Sequence, residues 1–278
     1  MAQQPKCSCK NCHNIGTHAV PVYKRAGAFA YLCDFHFRHN EGYSTKNERI
    51  QGVTKAHGFT YGVEFETSFS TPKARIEFTD NGYLPTDDCT VNCEYKSPIM
   101  RGLNQLPKHC VTFDRLIAEG QLTVNNDCGT HLHIGGDALT EEALEYIRRF
   151  YHSLFLPLSK ALEQNPTATA QLFGRTLNGW ARPIYMGCNV GEHTNFINMQ
   201  HAHTIEFRAC KFVTGKQYMN AVHFCDDVVK TVVSCFLKYF NEEPKDKRRY
   251  PNQTAYRKYK ADLTAKKLVK LFEKYTNI

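Results

Sequence analysis

The chain has no apolar run long enough to cross a bilayer. Its most apolar C-terminal stretch, Val228 to Phe240, is interrupted by Lys230 and Lys238 and falls short of the roughly 20 residues a membrane helix needs. Met1 to Lys10 is polar, so it does not read as the apolar core of a secretory signal. Internal repeats are missing, which excludes a solenoid or propeller. A Walker-type loop and a dinucleotide glycine fingerprint are missing too, which excludes those two nucleotide-binding designs. Most of the sequence also lacks net charge. The formal +8 of the 278-residue chain comes from Pro244 to Ile278, where eleven Lys and Arg stand against Asp246, Asp262 and Glu273. A tail of that kind suits a solvated helix face, or contact with nucleic acid or an acidic partner.

Twelve cysteines are abundant, but without a secretory leader they read as reduced thiols of a cytoplasmic protein. Hydrophobic residues make up 42% of the chain, enough for a sizeable core. The length fits one large α+β domain with a small appendage.

That appendage is expected over residues 1–40. Cys9-x-x-Cys12 and Cys33-x-x-His36 are paired half-sites with the spacing of a tetrahedral Cys₃His zinc site, with Cys7, His13 and His39 as substitute ligands. So short a segment has little apolar surface, and bound Zn²⁺ would replace its core. Residues 41–57 read as a polar linker, 58–241 as the main domain, and 242–278 as a basic helical extension.

Within the main domain, strand-like patterns run from Phe59 to Phe69 and from Ala74 to Phe78, with a turn at Asp80-Asn81-Gly82. Another strand is expected from Val91 to Tyr95. Leu106 to Glu119 has helical spacing closed by Gly120. Thr140 opens a helix that reaches roughly Phe155, with Pro157 kinking or restarting it before Gln164. Residues 168–193 read as irregular and lid-like. Strands at 195–199 and 203–209 precede an amphipathic helix over 217–240 and a basic one over 262–275.

Three strand segments carry the chemistry. Side chains alternate along a strand, so Cys128-Gly129-Thr130-His131-Leu132-His133 puts two imidazoles on one face with apolar residues behind. Tyr61-Gly62-Val63-Glu64-Phe65-Glu66 and Thr204-Ile205-Glu206-Phe207-Arg208 repeat the device with charged pairs. Glu64, Glu66, Glu94, Glu206 and His131 together would repel without a counter-ion, and their oxygen-rich donor set favours Mg²⁺ or Mn²⁺. Arg208 and Arg175 supply the positive charge that suits polyphosphate oxygens.

These motifs, with Glu94-Tyr95-Lys96-Ser97-Pro98, resemble the successive signatures of the amidoligase family, carboxylate–amine ligases of glutamine synthetase-like fold. The resemblance spans about residues 59–238. It implies a curved antiparallel sheet with packed helices, holding ATP and Mg²⁺ on its concave face. Glu64, Glu66, Glu94, His131 and Glu206 match the family's metal and nucleotide ligands. His133 matches a nucleotide-facing neighbour, Arg208 a phosphate-facing arginine, and Arg175 an arginine ahead of an aromatic-bearing loop. Tyr95-Lys96 stands where the family more often has two small apolar residues.

The implied activity activates a carboxylate as an acyl phosphate and joins it to an amine; either substrate could be a peptide or protein. Two other readings stand beside it: a metal-dependent phosphohydrolase or nuclease served by His131, His133 and the basic tail, and a zinc-containing nucleic-acid-binding protein whose N-terminal site and C-terminal helix grip phosphates, which the interior Glu-x-Glu opposes. Neither substrate nor oligomeric state is legible.

Overall fold

A computed structural model describes residues 5–8, 14–21, 29–33, 44–45, 48–49, 59–86, 91–239, 242, 244, 246 and 248–278. Near the N-terminus, β1 (His18–Pro21) and β2 (Phe29–Leu32) pair antiparallel. Cys7, Leu32 and Cys33 are buried. Of the expected zinc ligands, Cys9, Cys12 and His36 lie outside the described residues, as do His13 and His39. In the expected linker, β3 (Ser44–Thr45) and β4 (Glu48–Arg49) form a short antiparallel pair.

The main sheet has six strands, all antiparallel to their neighbours. Their order is β11 (Ile197–Asn198), β12 (Ile205–Phe207), β10 (Thr130–Gly135), β5 (Thr60–Thr67), β8 (Cys93–Lys96) and β7 (Leu84–Thr86). A two-stranded flap pairs β6 (Phe69–Ser70) with β9 (Leu122–Thr123). Seven α-helices accompany them among the described residues: α1 (Pro72–Asp80), α2 (Leu106–Ala118), α3 (Glu141–Arg149), α4 (Tyr151–Gln164), α5 (Pro166–Phe173), α6 (Gly215–Tyr239) and α7 (Gln253–Thr276). The architecture is mixed α and β, and no described helix is long and apolar enough to cross a membrane.

Strand alternation divides the sheet into two faces. Tyr61, Val63 and Phe65 of β5, Leu132 and Ile134 of β10, and Ile205 and Phe207 of β12 are all buried and turn to the helical side. There Phe65 stacks on Phe113 of α2 at 4.1 Å, and Tyr95 of β8 stacks on Phe78 of α1 at 4.0 Å. The Tyr61 hydroxyl donates to Asp226 of α6 at 2.8 Å. Each fully buried Phe contributes roughly 1.5–3 kcal/mol by leaving water. The opposite face carries the charged members of the same strands, so the core is what presents them together.

Several elements differ from the sequence expectation. Residues 74–78 are helical, because Thr71 caps α1 by accepting from the Ala74 N–H at 3.2 Å and Pro72 occupies the first turn. The expected irregular stretch begins as helix α5, which Gly174 ends with φ +78°. The long helix breaks at Phe150, and Pro157 sits inside α4, where it forgoes one backbone bond. Helix α7 starts nine residues earlier than expected, at Gln253, where Asn252 caps it.

The basic α7 is also a core element. Ala261, Leu268 and Phe272 join the main hydrophobic cluster, and α7 packs against α4 and α6. Its lysines occupy the other face, as helix amphipathicity requires.

Candidate active site

Register fixes the site. On the polar face, Glu64 pairs directly with His131 on one side and Lys96 on the other. One row along, Glu66 pairs with Glu94. One row the other way, His133 pairs with Glu206, and Glu206 with Asn198. Successive rows of one antiparallel face thus bring residues from five strands into side-chain contact.

His131 is the hub. Its Nδ1 lies 3.4 Å from Glu64 Oε2 and 3.3 Å from Glu206 Oε1, and its Nε2 lies 3.4 Å from Glu66 Oε1. His131, Glu66, Glu94 and Glu206 are buried, while Glu64 is partly so. The Gly129 N–H donates to Glu66. Glu94 accepts from the Thr86 hydroxyl at 2.9 Å. Glu206 is held by Arg208 at 2.7 Å, by the Asn198 amide, and by His201 at 3.1 Å.

The electrostatics follow from this crowding. Burial opposes ionisation of Glu64, yet the His131 and His133 rings and Lys96 bring its carboxyl well below the usual range. Burial likewise opposes Glu206, and His131, Arg208, His133 and Asn198 overcome it, so its carboxyl is also lowered. Glu94 goes the other way, raised by burial and by the neighbouring Glu64. His133 is raised despite burial, because Glu64 and Glu206 favour its charged form.

A cleft of about 440 Å³ opens over these groups, lined by all four carboxylates, Lys96, Asp127, Gly129, His131, Arg175, Trp180, His193, Thr194, His201 and Arg208. Trp180, His193 and Thr194 come from the segment after α5. That segment is anchored by the buried Ala181 and Ile184, and the Ile184 N–H donates to Ser159 Oγ of α4 at 2.7 Å.

Two arginines border the cleft. Arg175 donates to the main-chain carbonyls of Arg208 at 2.6 Å and Ala209 at 3.3 Å, while its Nη1 is buried without a hydrogen-bond partner. Arg208 spends Nη1 on Glu206, and its Nε is likewise buried and unpartnered. Burial lowers the Arg175 pKa.

A model of the family described as "Putative amidoligase enzyme" matches residues 24–184, more than half of the chain. The chain belongs to this amidoligase family. The matched span holds Glu64, Glu66, Glu94, His131, His133 and Arg175, and begins upstream of Cys33. No curated protein matches the chain. Glu206 and Arg208 follow the matched span in sequence, but the fold sets Glu206 3.3 Å from His131, which lies inside that span.

The expected set Glu64, Glu66, Glu94, His131, Glu206 and Arg208 therefore converges on one cleft, with Arg175 beside it and His133 adjoining through Glu64 Oε2 at 3.3 Å. Reading the sequence missed Lys96, Asn198, Gly129 and His201. Lys96 had a local signal, since it lies two residues past Glu94 and so shares its face. Asn198 and His201 had none, because only the β11–β12 pairing brings them to Glu206.

The donor atoms suit a divalent metal ion. Glu64, His131 and Glu206 form one set of ligating atoms lying within 4.8 Å of one another, and Glu66, Glu94 and His131 form a second. Four carboxylates gathered round one buried imidazole are stable together only with compensating positive charge. Two of the chain's own cations, Lys96 and Arg208, supply part of it.

Proposed function

We propose that the chain is an ATP-dependent carboxylate–amine ligase that forms an amide through an acyl phosphate. One observation supports this reading most: buried guanidinium donors without partners, Arg175 Nη1 and Arg208 Nε, border the same cleft as four carboxylates gathered round His131. Acids alone would repel a nucleotide, and arginines alone would bind any anion. Placed together, they fit a triphosphate accompanied by divalent cations.

Glu64, Glu66, Glu94, His131 and Glu206 would hold Mg²⁺. When bound, Mg²⁺ would neutralise phosphate charge and polarise the transferring group. The chain's own contribution is orientation and shielding. Arg208, fixed through Nη1 to Glu206, directs its remaining N–H groups at the γ-phosphoryl oxygens as the substrate carboxylate attacks phosphorus and ADP leaves. Arg175 holds the Arg208 backbone and offers Nη1 to the same charge. His133 flanks the nucleotide side of His131. The amine then attacks the acyl carbon, and phosphate departs as the amide forms. An acyl phosphate hydrolyses if water reaches it, so the segment carrying Trp180 and His193 serves as a cover.

Cys9, Cys12, Cys33 and His36 are proposed as a structural Zn²⁺ site; metal analysis of a Cys9→Ala/Cys33→Ala variant should show about one zinc fewer per chain, and equal zinc would remove this assignment. A cytoplasmic setting accords with the reduced cysteines.

The deciding assay is ADP release from Mg-ATP across panels of carboxylates and amines, with hydroxylamine as a trap. Release that needs both a carboxylate and an amine, and hydroxamate formation in the trap, is expected. Phosphate release that ignores the amine, or cleavage of a phosphodiester, would replace ligation with hydrolysis.

A further inference from the structure

Beside the His131-centred carboxylates lies a donor set of different chemistry. His133 stands directly across from Glu206 in the β10–β12 register. His201 comes from the β11–β12 connection, and its Nε2 is 3.1 Å from Glu206 Oε2. The two imidazole rings meet edge to face with centroids 5.1 Å apart. One ligating atom from each of the three residues lies within 4.8 Å of the other two. His133 Nε2 is buried without a hydrogen-bond partner; Glu64 Oε2 lies 3.3 Å away, near enough to act electrostatically but outside bonding geometry.

Glu206 divides between the two sets. Its Oε1 faces His131 at 3.3 Å and Arg208 at 2.7 Å, while Oε2 faces His201 and accepts from the Asn198 amide. A carboxylate presented in this way can ligate on both sides at once. Two imidazoles beside one carboxylate, His201 at its Oε2 and His133 with an unmet nitrogen, make a poor resting arrangement by themselves. They make a good one around a cation, because neutral imidazole nitrogen is a strong ligand for first-row transition ions.

We propose that His133, His201 and Glu206 form a separate metal site, a set of two histidines and one carboxylate, that takes a borderline ion such as Zn²⁺ or Co²⁺ in preference to Mg²⁺. The preference follows from donor type: the His131-centred sets are dominated by oxygen, which suits Mg²⁺, whereas this one is dominated by nitrogen. Nearly half of the His201 side chain is exposed, so the ion can enter from solvent and keeps open coordination positions. His201 lies outside the matched amidoligase span, and the proposal requires nothing of amide formation.

The test uses the full chain, stripped by chelator and titrated with Zn²⁺ in millimolar Mg²⁺, comparing the parent with His201→Ala and His203→Ala. The cysteine-rich N-terminus is common to all three, so any zinc it binds cancels. His201 and His203 are exposed residues of a connection, so both variants should keep the parent's circular dichroism. The parent and His203→Ala should bind one Zn²⁺ per chain more than His201→Ala, or bind it at least about tenfold more tightly. Co²⁺ absorption should change in His201→Ala in the same way. Equal Zn²⁺ binding by the parent and His201→Ala would overturn the proposal, as would displacement of the ion by equimolar Mg²⁺. A parent that forms no amide but still shows the His201-dependent ion would defeat the ligase reading and leave this site standing.

Discussion

Arg175 Nη2 donates to the main-chain carbonyl of Arg208 at 2.6 Å, so one arginine holds in place the strand end that carries the other. The two should fail differently on substitution. Arg208→Lys keeps the charge but loses the planar fork, so nucleotide binding should largely survive while turnover falls by roughly 10²-fold or more. Arg175→Ala removes a clamp on two carbonyls and a cleft cation together, so nucleotide binding, turnover and melting temperature should all drop. Calorimetry with nucleotide, beside ADP release, separates the cases. Unchanged turnover in Arg208→Lys would make that side chain a mere partner of Glu206.

Gly129 is required by close approach. A β-carbon there would stand 2.7 Å from His131 Nε2 and 3.3 Å from Glu66 Oε2. Because His131 is buried among carboxylates, its ring has little room to retreat. Gly129→Ala should therefore leave the fold intact and weaken divalent-metal binding by about 10–100-fold, the usual cost of misplacing a ligand through its surroundings. Mn²⁺ binding followed by electron paramagnetic resonance would show it, and parental affinity would mean that the ring is not a ligand.

How far the sequence could be read depended on the range of the signal. His131, His133, Glu64, Glu66, Glu206 and Arg208 were legible because each pair sits at i and i+2 on an apolar-backed strand, a pattern local to a few residues. Glu94 was legible from its motif. Asn198 and His201 were not, since their importance lies in the β11–β12 register, and register is a property of two strands. Residues 74–78 alternate as a strand does, but Thr71-Pro72 is a helix start in the sequence, and the cap prevails over so short an alternation. The charge of helix α7 suggests a solvated extension, while the spacing of Ala261, Leu268 and Phe272 along one face marks it as core.

That core role can be checked directly. Phe272 is fully buried, its ring meets Phe224 of α6 at 6.5 Å, and nearby Tyr275 donates to Asp227 at 2.9 Å. Phe272→Ala should destabilise the protein by about 3–5 kcal/mol, whereas Lys266→Ala, on the exposed face, should stay within about 0.5 kcal/mol of the parent. Chemical denaturation measures both. Equal stability of the two variants would mean that the helix is an appendage rather than part of the core.

Lys96 offers the clearest dependence on pH. Its ammonium lies 3.3 Å from Glu64 Oε1 and 3.3 Å from Glu94 Oε2, bridging carboxylates on neighbouring strands. Burial, and then Glu64, raise the Glu94 carboxyl, while Thr86 and Lys96 act against them. A carboxyl whose folded pKa is raised favours the fold while it is protonated, and that stability is lost as pH rises through the folded value. Replacing Lys96 by Met removes the nearest compensating charge and pushes Glu94 higher still. In chelator, the melting temperature of Lys96→Met should therefore fall increasingly below that of the parent as pH rises from roughly 5 to 8. Adding Mg²⁺ or Mn²⁺ should narrow the gap, because a divalent ion restores the positive charge that the ammonium supplied. A gap that stays constant across this range, or is indifferent to metal, would show that Lys96 is a solvated side chain with no part in balancing the acidic wall.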